Sequence, residues 1–102
     1  MRIINSKFDT REATEFYVVD LDDEPVKIDF KMQVIDIIVS SPDIDVLIGW
    51  DYKDDSEFTP DNSLLVKTFD NMKEIAKEMC THFYLMPYKK GTKGRVFVTV
   101  QR

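Results

Sequence analysis

Between Val26 and Val34 an apolar side chain falls on every second residue. Val26, Ile28, Phe30, Met32 and Val34 alternate with Lys27, Asp29, Lys31 and Gln33. That period of two belongs to a strand with one buried face and one charged face, and it commits this part of the chain to a sheet. The phase then slips. Val34 and Ile35 are adjacent, after which Ile35, Ile37 and Val39 share a side. A β-bulge near residues 34–35, or burial of both faces, accounts for the change.

Further strands are expected on either side. Glu15–Leu21 is rich in β-branched and aromatic residues, and the Asp22-Asp23-Glu24-Pro25 turn follows it. Ser40-Ser41-Pro42-Asp43 closes the alternating run, and Ile44, Val46, Ile48 and Trp50 then line one face of another strand. Three strands joined by short turns read as an antiparallel meander. Near the C-terminus, Val96–Val100 is a β-branched run preceded by Lys89-Lys90-Gly91-Thr92-Lys93-Gly94-Arg95. The two glycines suggest a hairpin tip there.

Residues 60–83 carry the helical signal. Thr59-Pro60 suits an N-cap with proline in the first turn, and Leu65, Phe69, Met72, Ile75, Ala76, Met79 and Phe83 recur at helical spacing. A competing reading makes Ser63–Phe69 a strand and starts the helix at an Asp70 cap. The expected fold is a single α+β domain over 1–102, with an antiparallel sheet (meander plus C-terminal hairpin) and one long amphipathic helix packed on one face.

Chemistry is constrained mostly by exclusion. Cys80 and His82 are the only cysteine and histidine, and on a helix they point apart. Three scattered glycines supply no phosphate loop, and no cofactor is implied. The acids of loop 51–57 lack the calcium-loop spacing, so a small enzyme using a divalent cation there is a minor alternative. With one cysteine and no long apolar run, a cytoplasmic protein without a membrane segment is expected. Trp50 reads as a core residue or an interface anchor.

Charge is the remaining signal. Residues 1–62 hold six Lys or Arg and sixteen Asp or Glu (6 − 16 = −10), whereas residues 63–102 hold eight and three (8 − 3 = +5). Uneven charge selects partners rather than folds. The leading expectation is a non-enzymatic protein acting by protein–protein contact, an inhibitor or adaptor presenting an acidic surface to a basic groove such as that of a nucleic-acid-binding protein. Its contact residues would be Asp20, Asp22, Asp23 and Glu24 at the first turn, with Asp51, Asp54, Asp55 and Glu57 in the later loop. The alternative is nucleic-acid binding by the basic 89–95 arm, through Lys89, Lys90, Lys93 and Arg95.

Overall fold

A computed structural model describes residues 1–6, 14–68 and 73–101, with the backbone alone at 32, 33, 35 and 73–79. Its strands are β1 (Arg2–Asn5), β2 (Thr14–Leu21), β3 (Val26–Ser40), β4 (Val46–Trp50), β5 (Leu64–Val66), β6 (Lys73–Pro87) and β7 (Gly94–Gln101). They join in one hydrogen-bonded sheet ordered β2-β7-β3-β6-β4-β5, and β1 pairs in parallel with the start of β3. Every other pairing is antiparallel.

The sheet folds over on itself. β3 and β6 have fifteen residues each, which would reach about 50 Å if straight, yet the longest molecular dimension is 38 Å. Their pairing register shifts between Asp29 and Val34 and again between Val34 and Asp36, where the slip in alternation lies. Lys31, inside this stretch, has a left-handed backbone with φ 64°. Both ends of β3 return to one end of the molecule. Val26 follows the turn from Leu21, which is opposite Gly94, and Ser40 is opposite Phe97.

The two halves enclose one core. Tyr17, Val19 and Leu21 of β2 and Val96, Val98 and Val100 of β7 meet Val26, Ile28 and Phe30 from the first half of β3. The Tyr17 and Phe30 rings lie 5.8 Å apart across this interior. The core side chains from β4 are Val46 and Ile48, and β6 adds Cys80, Phe83 and Leu85. Because the sheet covers its own apolar face, no helix is needed to bury it.

Both helix readings are overturned. The α+β fold with a long helix at 60–83 is replaced by a 3-10 turn at Pro60–Asn62, then β5 and β6. Leu64–Val66 pairs with β4, as the competing strand reading has it. The helix that reading starts at Asp70 also gives way to strand from Lys73, while Asp70 itself lies outside the described residues. The cause is strand pairing: Lys73, Glu74, Ile75 and Ala76 pair with Val39, Ile38, Ile37 and Asp36 of β3, and Phe83, Tyr84 and Leu85 pair with both β3 and β4, which outweighs the helix propensity of Lys73–Glu78.

Neither the meander nor the C-terminal hairpin forms. β7 separates β2 from β3, and β6 separates β3 from β4, so strands adjacent in sequence are interleaved by strands from the C-terminal part. β6 and β7 flank β3 instead of pairing with each other, which makes 88–93 a crossover.

Candidate functional site

The eight expected contact acids fall into two groups in the folded sheet. Asp20, Asp22, Asp23 and Glu24 lie where the strand ends gather. The other four lie in the loop after β4, beside the fold-over of β3 and β6.

Around the first turn, β2–β7 pairing brings the acidic and basic segments together. Asp20 is directly opposite Arg95, and Arg95 Nε donates to Asp20 Oδ1 at 3.0 Å. Asp22 Oδ1 accepts the Glu24 amide at 2.9 Å, while Glu24 meets the N-terminal ammonium at 3.1 Å. Asp23 Oδ1 accepts the Gly91 amide at 2.6 Å, and Asp43 accepts the Arg95 amide at 3.0 Å. Gly91 has φ 86°, a conformation that glycine takes without a Cβ penalty. The 89–95 segment is thus tied between two acidic turns. Lys89, Lys90, Lys93 and Arg95 are exposed, but Arg2, Lys93 and Arg95 share an open cleft with Asp20, Asp22 and Asp43. This mixed surface offers a polyanion no continuous positive track.

The loop after β4 is predominantly acidic. Residues 51–61 contain Asp51, Asp54, Asp55, Glu57 and Asp61 against Lys53, a balance of 1 − 5 = −4. Each of the four expected acids is held by a specific contact. Asp51 has φ 52°, and its Oδ1 accepts the Thr81 and His82 amides at 3.0 and 3.2 Å. Asp54 caps the 3-10 turn Asp55–Glu57 by accepting from the Ser56 amide at 2.9 Å, and this bond lowers its pKa. Glu57 Oε2 accepts the Lys53 amide at 3.3 Å.

Asp55 fastens the loop to the sheet. Its Oδ1 accepts the Tyr84 hydroxyl at 2.7 Å and Lys27 Nζ at 3.0 Å, and Lys27 lies over the Tyr84 ring. The Tyr84 bond, then the Lys27 bond, lowers the Asp55 pKa. Beneath the loop, Tyr52, Phe58 and Tyr84 form an aromatic trio with centroids 5.2–5.9 Å apart. They pack on Leu47 in a second apolar cluster, outside the main core. Tyr52, Phe58, Tyr84 and Lys27 are the supports that sequence reasoning missed. Phe58, a large apolar residue amid polar ones, was the available signal.

The remaining candidates are placed as follows. Cys80 is buried in the core. His82 is half-exposed, with Nδ1 3.1 Å from Thr81 Oγ1 and Nε2 3.8 Å from Asp29. The helical argument separating Cys80 from His82 no longer applies, because both belong to β6. Trp50 packs at the core margin and stacks on Phe83 at 6.4 Å. Among the described residues, no group of three or more His, Cys, Asp or Glu side chains is placed to hold a metal. The loop carboxylates face protein donors instead.

No protein-family model matches the chain, and no curated protein matches it in sequence. Solved structures do match. PliG from Aeromonas hydrophila, described as a periplasmic inhibitor of g-type lysozyme, has 6% identity and a TM-score of 0.59, with 98% of this chain and 95% of that chain covered. A PliG mutant from Escherichia coli has 12% identity and a TM-score of 0.49 over 98% and 96% of the two chains. What is shared is the fold. The cytoplasmic expectation is withdrawn, because it rested on default alone and the Aeromonas protein is described as periplasmic.

Proposed function

We propose that this chain is a small non-catalytic protein that binds another protein, and that it acts as an inhibitor with loop 51–61 as its contact surface. The observation carrying this reading is the loop itself. Five carboxylates and one lysine lie in eleven residues, on a segment pinned by Asp55, Tyr84 and Phe58. A loop ordered before association loses little conformational freedom on binding. Its charge would steer a partner whose groove is basic.

Fold similarity to Aeromonas PliG supports the inhibitor class and makes lysozymes the first partners to test. The turn acids Asp20, Asp22, Asp23 and Glu24 take a flanking role in this reading, since Arg2, Lys93 and Arg95 share their surface. The basic connector is assigned no nucleic-acid role.

The test measures inhibition of g-type and other lysozymes, and then association kinetics against salt for any enzyme inhibited. Joint replacement Asp54→Asn, Glu57→Gln and Asp61→Asn should slow association and flatten its salt dependence. An inhibited enzyme bound equally fast by the triple variant removes the loop from the interface. Failure to inhibit any lysozyme removes that class of partner.

A further inference from the structure

The outer face of β2 and β7 is unused by the reading above. Along β2, Tyr17, Val19 and Leu21 point into the core, which turns Phe16, Val18 and Asp20 outward. β7 alternates in the same way, with Val96, Val98 and Val100 inside and Arg95, Phe97 and Thr99 outside. Phe16 is 74% exposed, Val18 57% and Phe97 40%. Together they leave roughly 300 Å² of apolar side chain in water, enough to form a functional patch on a small protein.

Register arranges this face in cross-strand pairs. Phe16 is opposite Thr99, Val18 opposite Phe97 and Asp20 opposite Arg95. Half-buried Ile38 and Ser40 of β3 continue the first two rows beyond Thr99 and Phe97. The third row is an ion pair, Arg95 Nε to Asp20 Oδ1 at 3.0 Å, whose side chains are 56% and 72% exposed. The apolar rows thus end on one base and one acid side by side.

A face built from such pairs is complementary to itself. A two-fold axis parallel to the strands and midway between β2 and β7 lays β2 of one copy over β7 of the other. Each row then meets its own row with the two members exchanged. Val18 faces Phe97 of the second copy, and Asp20 faces Arg95 of the second copy, with both contacts made twice. That exchange is what an isologous interface demands, and sheets packed face to face keep their strands aligned in this manner. A partner surface of one charge would oppose either Asp20 or Arg95, whereas a second copy satisfies both.

We propose that two copies of this chain associate through the outer faces of β2 and β7, related by that axis. With Thr99 and the Asp20–Arg95 pair at its margin, the face supplies on the order of 500–600 Å² per copy, at the low end of specific interfaces. The dimer is therefore weak and forms at micromolar concentrations and above. It uses no residue of loop 51–61 and stands whether or not a lysozyme is the partner.

Sedimentation velocity of the whole chain between about 1 μM and 1 mM, at moderate salt, should show monomers giving way to dimers. Asp20→Arg leaves two cations on the face and Arg95→Asp two anions, so each variant alone should remain monomeric. Mixed in equal amounts they should pair, because every cation then meets an anion. Phe16→Ser should weaken association about tenfold. These side chains are exposed, and an unchanged melting temperature shows that each variant is folded. A monomer at every concentration, a dimer untouched by all three substitutions, or a mixture no more associated than its components overturns the proposal. A dimer lost in the loop variant Asp54→Asn, Glu57→Gln and Asp61→Asn also overturns it, as does a monomer whose inhibition of a lysozyme is slowed by Phe16→Ser. Dimerisation is read without any lysozyme, so the two readings fail separately.

Discussion

The Asp55 carboxylate accepts the Tyr84 hydroxyl at 2.7 Å, joining the loop after β4 to a strand twenty-nine residues further along. This bond makes loop attachment depend on acid. The folded pKa of Asp55 is depressed, so its stabilising contribution is complete above the unfolded value and is lost as pH falls through the folded one. Urea denaturation below pH 4 should show Asp55→Asn converging on the parent protein, with the two well separated at neutral pH. Equal separation at every pH contradicts this account.

The same pair acts at alkaline pH with the opposite sign. Burial first, and the Asp55 bond second, push the Tyr84 pKa well above its ordinary value. A raised folded pKa means stability is present below the unfolded value, about 10, and is lost as pH rises through the folded one. Ultraviolet titration should show a late tyrosine step that Tyr84→Phe removes.

Asp51 illustrates a double requirement. Its backbone is left-handed and its carboxylate takes two amides from β6. Asp51→Asn keeps an acceptor and suits that conformation, whereas Asp51→Ala loses both advantages. The alanine variant should lose about 1–3 kcal/mol in chemical denaturation, and the asparagine variant distinctly less.

Gly49 is fixed by close approach. Gly49→Ala forces Tyr52 out of the aromatic trio and should cost about 1–3 kcal/mol by overpacking. Tyr52→Phe, which removes the hydroxyl, should recover part of this loss in the double variant. Additive costs would locate the strain elsewhere.

Phe83 tests the core itself. It is fully buried and stacks on Trp50. Phe83→Ala should lose about 3–5 kcal/mol, much of a small domain's stability, and should shift Trp50 emission to the red.

The parts legible in sequence were those decided locally. Val26 to Phe30 alternates because one face is buried, and the slip at Val34 marked where β3 changes register. β2, β4 and β7 were recognisable from β-branched and aromatic runs. β6 was hidden because Lys73–Glu78 has helix-forming composition, and its strand conformation is imposed by pairing with the distant Asp36–Val39 segment of β3. Strand order was hidden for a related reason: nothing near Asp20 indicates that Arg95 will stand opposite it. The loop acids were singled out by composition alone. Their distinction from the turn acids depended on which segments pairing brought together.

The interleaved order has a consequence during synthesis. β7 follows every other described strand, yet its place is between β2 and β3. Until Gly94–Gln101 has left the ribosome, β2 lacks its neighbour and the apolar faces of Tyr17, Val19 and Leu21 have no complete interior to enter. Nascent chains stalled before that point should be protease-sensitive and dependent on chaperones, with cooperative structure arriving only after β7.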